Sequence, residues 1–150
     1  MPSESLIPPP RSALVLRANG FLTRLMFDWF VAKYLPAYEA RVTSDYRTIE
    51  HNAQIGGAEN SAHTHNLAID FVLYSNGVPL DKERAKQVFN AFVLPDWPGF
   101  ALFEESATAK PTGYHIHVNL SRGVTFYVSA FGAAGAAYTL WKLLKKKRKR

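Results

Sequence analysis

The chain has 150 residues, of which 47% are hydrophobic, and it contains no cysteine. It is therefore expected to form one domain with a buried core, and a disulfide framework or a thiolate zinc site is excluded. The formal net charge of +6 comes from the last six residues, since without them 12 basic residues face 12 acidic ones. No nucleic-acid partner is therefore expected for the folded body of the chain.

Two elements are predicted near the start of the chain. Residues 1–19 contain several prolines and are expected to form an extended leader. The stretch "FLTRLMFDWFVAKYL" then carries apolar residues at helical spacing, which predicts a core helix that ends near Pro36. The apolar stripe of this helix comprises Leu22, Leu25, Met26, Trp29 and Phe30.

The middle of the chain predicts strands with one helix between them. "ARVTSDYRT" and "LAIDFVLYSNG" have strand composition, and the pair Gly56 and Gly57 marks a loop between them. "LDKERAKQVFNAFV" predicts a helix with Asp81 as its N-cap and with an apolar stripe of Ala85, Val88, Phe89 and Phe92. "GFALFEE" and "GYHIHVNL" predict two further strands. The predicted fold class is α+β, with a small antiparallel sheet and helices packed on one side.

Residues 123–144 are hydrophobic, and the 19 residues from Gly123 to Trp141 carry no charge. This length suffices for a helix that crosses a bilayer, and the basic tail 145–150 favours a cytoplasmic C-terminus. The chain is therefore expected to be membrane-associated through this helix. The alternatives are an amphipathic or core helix with a solubilising tail, and a nucleic-acid arm on a neutral domain.

The chemistry-bearing residues begin with the strand "GYHIHVNL". Side chains alternate between the two faces of a strand, so His115 and His117 point the same way while Ile116 and Val118 point to the other face. Two adjacent imidazoles suit a metal site or an acid–base pair. The simpler alternative is a pair of surface histidines.

A second cluster lies in "NSAHTHNLAID", where His63 precedes Asp70 by seven residues. A loop of this length can fold back over the start of the strand that carries Asp70. His63, Asp70 and one histidine of the His-x-His pair would supply two nitrogens and one oxygen. Zinc with three protein ligands keeps a fourth position for water, which is the pattern of catalytic sites.

These segments resemble a known family. "DYRTIEHNAQIGGAENSAHTHNLAID" followed by "HIHVNL" resembles the zinc D-alanyl-D-alanine carboxypeptidase and peptidoglycan L,D-endopeptidase family, which belongs with the lysostaphin-type and hedgehog-type zinc domains. The shared pattern is an arginine after a turn, then Ser-x-His, then an aspartate seven residues after that histidine, and a late His-x-His. The resemblance assigns residues 20–122 to a zinc peptidase domain with a zinc cleft on its sheet.

The resemblance implies a role for each matching residue. The implied Zn²⁺ ligands are His63, Asp70 and His117. The implied catalytic residues are His115, as general base or transition-state stabiliser, and Arg47, as ligand of the substrate carboxylate or the developing oxyanion. The implied supporting residues are Ser61, which braces the His63 loop by hydrogen bonding, together with Tyr46 and Asn66.

Two positions depart from the family pattern. Asn66 replaces a glycine, and asparagine tolerates the left-handed conformation better than most residues. Tyr114 stands where many relatives carry an acidic catalytic base. Either His115 takes that role, or Glu104 or Glu105 reaches the site from the neighbouring strand.

The resemblance implies a zinc metallopeptidase that hydrolyses an amide in peptidoglycan stem peptides, of D,D-carboxypeptidase or L,D-endopeptidase type. A phage-encoded protein whose zinc domain faces the cell wall fits this activity, and a cytoplasmic or virion-associated location is the alternative. Two other functions stay open. One is a non-catalytic, zinc-stabilised binding domain, which Tyr114 favours, and the other is a membrane-anchored virion component.

Overall fold

The computed structural model describes residues 12–120. Its helices are α1 (Ala13–Tyr34), α2 (Ile49–Gln54), α3 (Lys82–Val88) and α4 (Leu94–Asp96), with a 3-10 turn at Ala62–His65 and a π-helical turn at Phe89–Val93. Its strands are β1 (Glu39–Ser44), β2 (Ala68–Ser75), β3 (Val78–Pro79), β4 (Phe100–Glu105) and β5 (Tyr114–Asn119).

The strands form one antiparallel sheet in the order β1-β2-β5-β4. The short strand β3 pairs with the end of β2, and the two form a hairpin. The turn of this hairpin uses Asn76 and Gly77, both at positive φ, which is typical of a tight hairpin turn. The predicted α+β class and its small antiparallel sheet are therefore confirmed.

The cross-strand register divides the sheet into two faces. Ile69 lies opposite Val118, and Phe71 lies opposite Ile116; all four side chains are buried on the face that packs against the helices. The ring of Phe27 in α1 contacts Phe71 edge-on, with 5.0 Å between centroids. The other face carries Asp70 opposite His117 and Glu104 opposite His115. We call it the polar face.

Helix α1 begins earlier than the sequence predicted. The side chain of Ser12 accepts a hydrogen bond from Val15 N–H at 3.2 Å, and this N-cap starts the helix at Ala13, inside the expected leader 1–19. The leader boundary at residue 19 is therefore wrong. The helix ends before Pro36 as predicted, but Leu25 of the predicted apolar stripe is 49% exposed.

Two further local predictions need correction. The segment before Gly56 forms α2, because Thr48 caps it by accepting from His51 N–H at 3.1 Å, whereas only a loop was expected there. Asp81 caps α3 as predicted, accepting from Arg84 N–H at 2.8 Å. The π-helical turn after α3 changes the helical period, so Phe92 is exposed rather than buried.

The predicted hydrophobic helix at 123–144 and the basic tail at 145–150 lie outside the described residues. Within residues 12–120, no helix combines the length and the apolar character needed to cross a membrane.

Met26 and Leu25 are neighbours in α1 with opposite environments, and they give a matched test of the fold. Met26 is 1% exposed, so Met26→Ala is expected to lower the free energy of unfolding by ~2–5 kcal/mol through a cavity in the core. Leu25→Ala is expected to cost less than about 1 kcal/mol. Urea unfolding followed by circular dichroism measures both, and equal losses would contradict this orientation of α1.

Candidate metal centre

Three side chains converge on the polar face. Asp70 in β2 and His117 in β5 are direct cross-strand partners, and His117 Nδ1 lies 2.8 Å from Asp70 Oδ1. His63 enters from the 3-10 turn, with its Nε2 3.1 Å from the same carboxylate oxygen. The potential ligand atoms of these three residues all lie within 4.8 Å of one another. Two imidazole nitrogens and one carboxylate oxygen form a donor set suited to zinc.

The turn that carries His63 is closed at both ends by residues that the sequence singled out. Ser61 caps it, its Oγ accepting from His63 N–H at 3.3 Å. Asn66 ends the turn in the left-handed conformation, with φ of 57°. The Asn66 side chain then donates to the carbonyl of Leu16 in α1 at 2.9 Å. The turn is therefore fastened to helix α1 as well as to the sheet.

Helix α1 supplies two more polar contacts to this turn, and the sequence analysis missed both. Asn19 Nδ2 donates to the carbonyl of His65 at 2.9 Å, and Thr23 Oγ1 shares its proton between the carbonyls of Asn19 at 2.8 Å and Asn66 at 3.2 Å. Gly20 allows the approach, because a Cβ there would lie 2.2 Å from the Asn66 amide nitrogen. The available signal was that Asn19 and Thr23 lie at helical spacing from the apolar residues Leu22 and Met26.

Contacts at the outer ring nitrogens orient both imidazoles towards Asp70. His63 Nδ1 contacts the carbonyl of Asp45, which favours a proton on Nδ1 and a lone pair on Nε2. His117 Nε2 lies 3.2 Å from the Asn119 amide, which leaves Nδ1 facing Asp70. Burial alone would raise the pKa of the Asp70 carboxyl, but the adjacent imidazoles of His117 and His63 outweigh burial and hold that pKa well below its ordinary value. Asp70 is therefore an ionised carboxylate, as a metal ligand must be.

Arg47 is attached to the same carboxylate. Its Nη2 donates to Asp70 Oδ2 at 2.9 Å and its Nε donates to Ser44 Oγ at 3.0 Å. The guanidinium is held in place at the edge of the centre with 21% of its side chain exposed. Tyr46 lies away from the Asp70 carboxylate and lines a cavity together with Gly20 and Asn66.

His115 lies next to the three converging residues. Its Nε2 is 4.0 Å from Asp70 Oδ2, and the same nitrogen is in close contact with the Glu104 carboxylate from β4. Glu105 instead pairs with Lys82 at 3.0 Å and Lys86 at 3.4 Å. Of the two glutamates left open by the sequence, Glu104 is therefore the one that reaches the site.

Tyr114 belongs to the core. It is fully buried, its phenol donates to the carbonyl of Leu80 at 3.2 Å, and burial raises its pKa to about 12. Phe100 and Leu102 are exposed on β4, and they flank the metal centre because their cross-strand partners are Asn119 and His117. These two exposed residues were not predicted from the sequence, where their alternation with Ala101 and Phe103 was the available signal.

Comparison with known proteins gives one match. A family model described as Peptidase M15 matches residues 25–103, which is more than half of the chain. The matched segment contains Arg47, His63 and Asp70 and ends before β5. No curated protein and no solved structure matches the chain.

The converging residues predict about one zinc per chain. His63→Ala is expected to weaken zinc binding by more than the roughly 10–100-fold that loss of an outer-shell partner costs, because a direct ligand is removed. Elemental analysis and chelator competition measure this. His51→Ala is the control, since His51 is exposed on α2 and should leave zinc content unchanged. Wild-type protein that binds no zinc would contradict the assignment.

Proposed function

Because the chain belongs to the peptidase M15 family, we propose that it is a zinc metallopeptidase that hydrolyses an amide bond in peptidoglycan stem peptides. The observation that carries this proposal is the convergence of His63, Asp70 and His117 beside a separate His115–Glu104 pair. A purely structural metal site needs the three converging residues, but it does not need the His115–Glu104 pair. Zinc in this site would supply Lewis-acid activation of water and of the scissile carbonyl.

His115 is the proton carrier in this proposal. Its Nε2 lies between the Glu104 carboxylate and the metal centre, so a proton on Nε2 is held within reach of both. Glu104 orients the imidazole through this contact. His115 then delivers the proton to the departing amine nitrogen as general acid, a contribution of roughly 10²–10⁴ in rate.

Arg47 stabilises developing negative charge. Its guanidinium is oriented by Ser44 and Asp70 before any substrate arrives, so little reorganisation is needed during the reaction. Loss of one such preorganised donor costs ~3 kcal/mol of transition-state stabilisation.

The non-catalytic alternative drew its support from Tyr114, which occupies the position of an acidic residue in relatives. Glu104 supplies a carboxylate beside His115 from the neighbouring strand. Glu104 can therefore take the role of the acidic residue that Tyr114 replaces, which favours an enzyme over a non-catalytic binding domain.

The main test is His115→Ala. The variant is expected to keep about one zinc per chain and to lose roughly 100-fold or more of its turnover of purified peptidoglycan, because the proton carrier is gone while the three metal-binding residues remain. Mass spectrometry of released fragments and elemental analysis measure the two quantities. Loss of zinc would show that His115 is a ligand.

Two glutamate variants serve as a matched pair for this test. Glu104→Gln is expected to reduce turnover, whereas Glu105→Gln should leave it unchanged because Glu105 pairs with lysines of α3. Zinc-loaded wild-type protein without peptidoglycan turnover would favour the non-catalytic alternative.

We further propose membrane association through residues 123–144 and the basic tail 145–150, supported by the uncharged stretch and the six terminal cations. With a cytoplasmic C-terminus, the zinc domain would face the cell wall that contains the proposed substrate. Protease added to spheroplasts should digest the zinc domain and leave a short membrane-bound fragment. Protection of the domain would contradict this orientation, and release by high salt alone would contradict insertion.

A further inference from the structure

A cleft of about 250 Å³ lies between the metal centre and the connection from β4 to β5. Arg47, Asp70 and His115 line one side of it. The other side is formed by the β4–β5 segment, residues 106–113, whose polar lining residues are Ser106, Thr108, Lys110 and Thr112. A cleft so rich in hydroxyl groups and cations suits an anionic ligand rather than an apolar one.

The β4–β5 segment is held in one conformation by its own hydrogen bonds. Ser106 N–H donates to the carbonyl of Gly113 at 3.0 Å, and the hydroxyls of Ser106 and Thr108 lie 2.8 Å apart. Thr112 Oγ1 donates to the carbonyl of Tyr114 at 2.8 Å. Because this segment joins the strands that carry Glu104 and His115, its position relative to the metal centre is set by the sheet. Such preorganisation reduces the entropic cost of binding a ligand.

Some charged side chains of the cleft already have a partner within the protein, and one does not. The guanidinium of Arg47 is engaged by Asp70 and Ser44, and the Glu104 carboxylate is engaged by His115. Lys110 has no ion pair among residues 12–120. Its exposed ammonium is therefore available to a charged group of a ligand, and its long, flexible stem adapts to the ligand's position.

We propose that Lys110 binds the α-carboxylate of the residue whose nitrogen is released, an inference that rests on the proposed peptidase function. His115 protonates the departing nitrogen, so the released residue lies on the His115 side of the metal centre. The β4–β5 segment lines the same cleft as His115. An α-carboxylate is separated from the departing nitrogen by a single carbon, which brings it towards Lys110 while the nitrogen contacts His115.

This assignment separates the work of the two cations. Arg47, fixed against Asp70, faces the reacting carbonyl, whereas Lys110 selects the substrate. A terminal D-alanine and a D-glutamate linked through its γ-carboxyl both present a free α-carboxylate next to their nitrogen. Lys110 therefore recognises the chemistry that the D,D-carboxypeptidase and L,D-endopeptidase substrates share.

The kinetic test uses the zinc-loaded full chain and two peptides. One peptide ends in D-Ala-D-Ala, and the other contains L-Ala-γ-D-Glu. Each peptide is also prepared with a carboxamide in place of the α-carboxylate. Lys110→Gln is expected to raise KM for the cleaved carboxylate peptide about tenfold with kcat little changed, and to alter kcat/KM for its carboxamide less than twofold. Lys110→Arg should restore most of the loss. Lys86→Gln, which removes a lysine paired with Glu105 outside the cleft, is the matched control. Equal effects of Lys110→Gln on the carboxylate and carboxamide would overturn the proposal.

Equilibrium binding separates failure of this inference from failure of the proposed function. N-acetyl-D-alanine and N-acetyl-D-alaninamide are titrated into the zinc-loaded wild type and Lys110→Gln proteins by calorimetry. An about tenfold weaker affinity of Lys110→Gln for the carboxylate alone supports the carboxylate site even if neither peptide is cleaved, in which case the peptidase function fails by itself. Cleavage of a peptide together with unchanged binding and kinetics in Lys110→Gln overturns the role of Lys110 and leaves the peptidase function standing.

Discussion

The pairing of Asp70 with His117 across β2 and β5 is the contact on which the rest of the structure depends. Asp70 is 4% exposed, and a buried carboxylate is stable only with partners of opposite charge or strong hydrogen-bond donors. The same register places Ile69 against Val118 on the core face. A slip of one residue would turn the carboxylate towards the helices and the apolar residues towards solvent. The hydrophobic core and the candidate metal centre are therefore specified by one register, and neither can change without the other.

Much of this arrangement could be predicted from the sequence because the side-chain period of a strand is two. Alternation in "HIHVNL" identified the shared face of His115 and His117, and the apolar neighbours identified the core face. The choice between Glu104 and Glu105 could not be predicted in the same way. It depends on the register between β4 and β5, and the connection between those strands does not reveal it. The short helix α2 was missed because its residues are mostly exposed and lack an apolar stripe.

Helix α1 positions the turn that carries His63, a role that its apolar stripe does not indicate. A helix predicted from hydrophobic spacing is treated as packing, yet Asn19 and Thr23 bind the carbonyls of the turn that carries His63. The expected leader boundary at residue 19 would have separated Asn19 and Leu16 from the domain they serve. Sequence patterns indicate which face of a helix is buried, but they do not show which buried polar groups meet a turn far away along the chain. Those contacts arise only when the tertiary fold brings the backbone carbonyls into range.

The presence of tyrosine at position 114 follows from the extent of β5. Tyr114 is three residues before His117, and an odd separation along an extended strand places the two side chains on opposite faces. Any residue at 114 therefore enters the core while β5 begins there, and an acidic side chain would be buried without a partner. A large aromatic residue with its phenol bonded to a backbone carbonyl satisfies that environment. A carboxylate can contact His115 from the residue directly opposite on the neighbouring strand, and Glu104 holds that position.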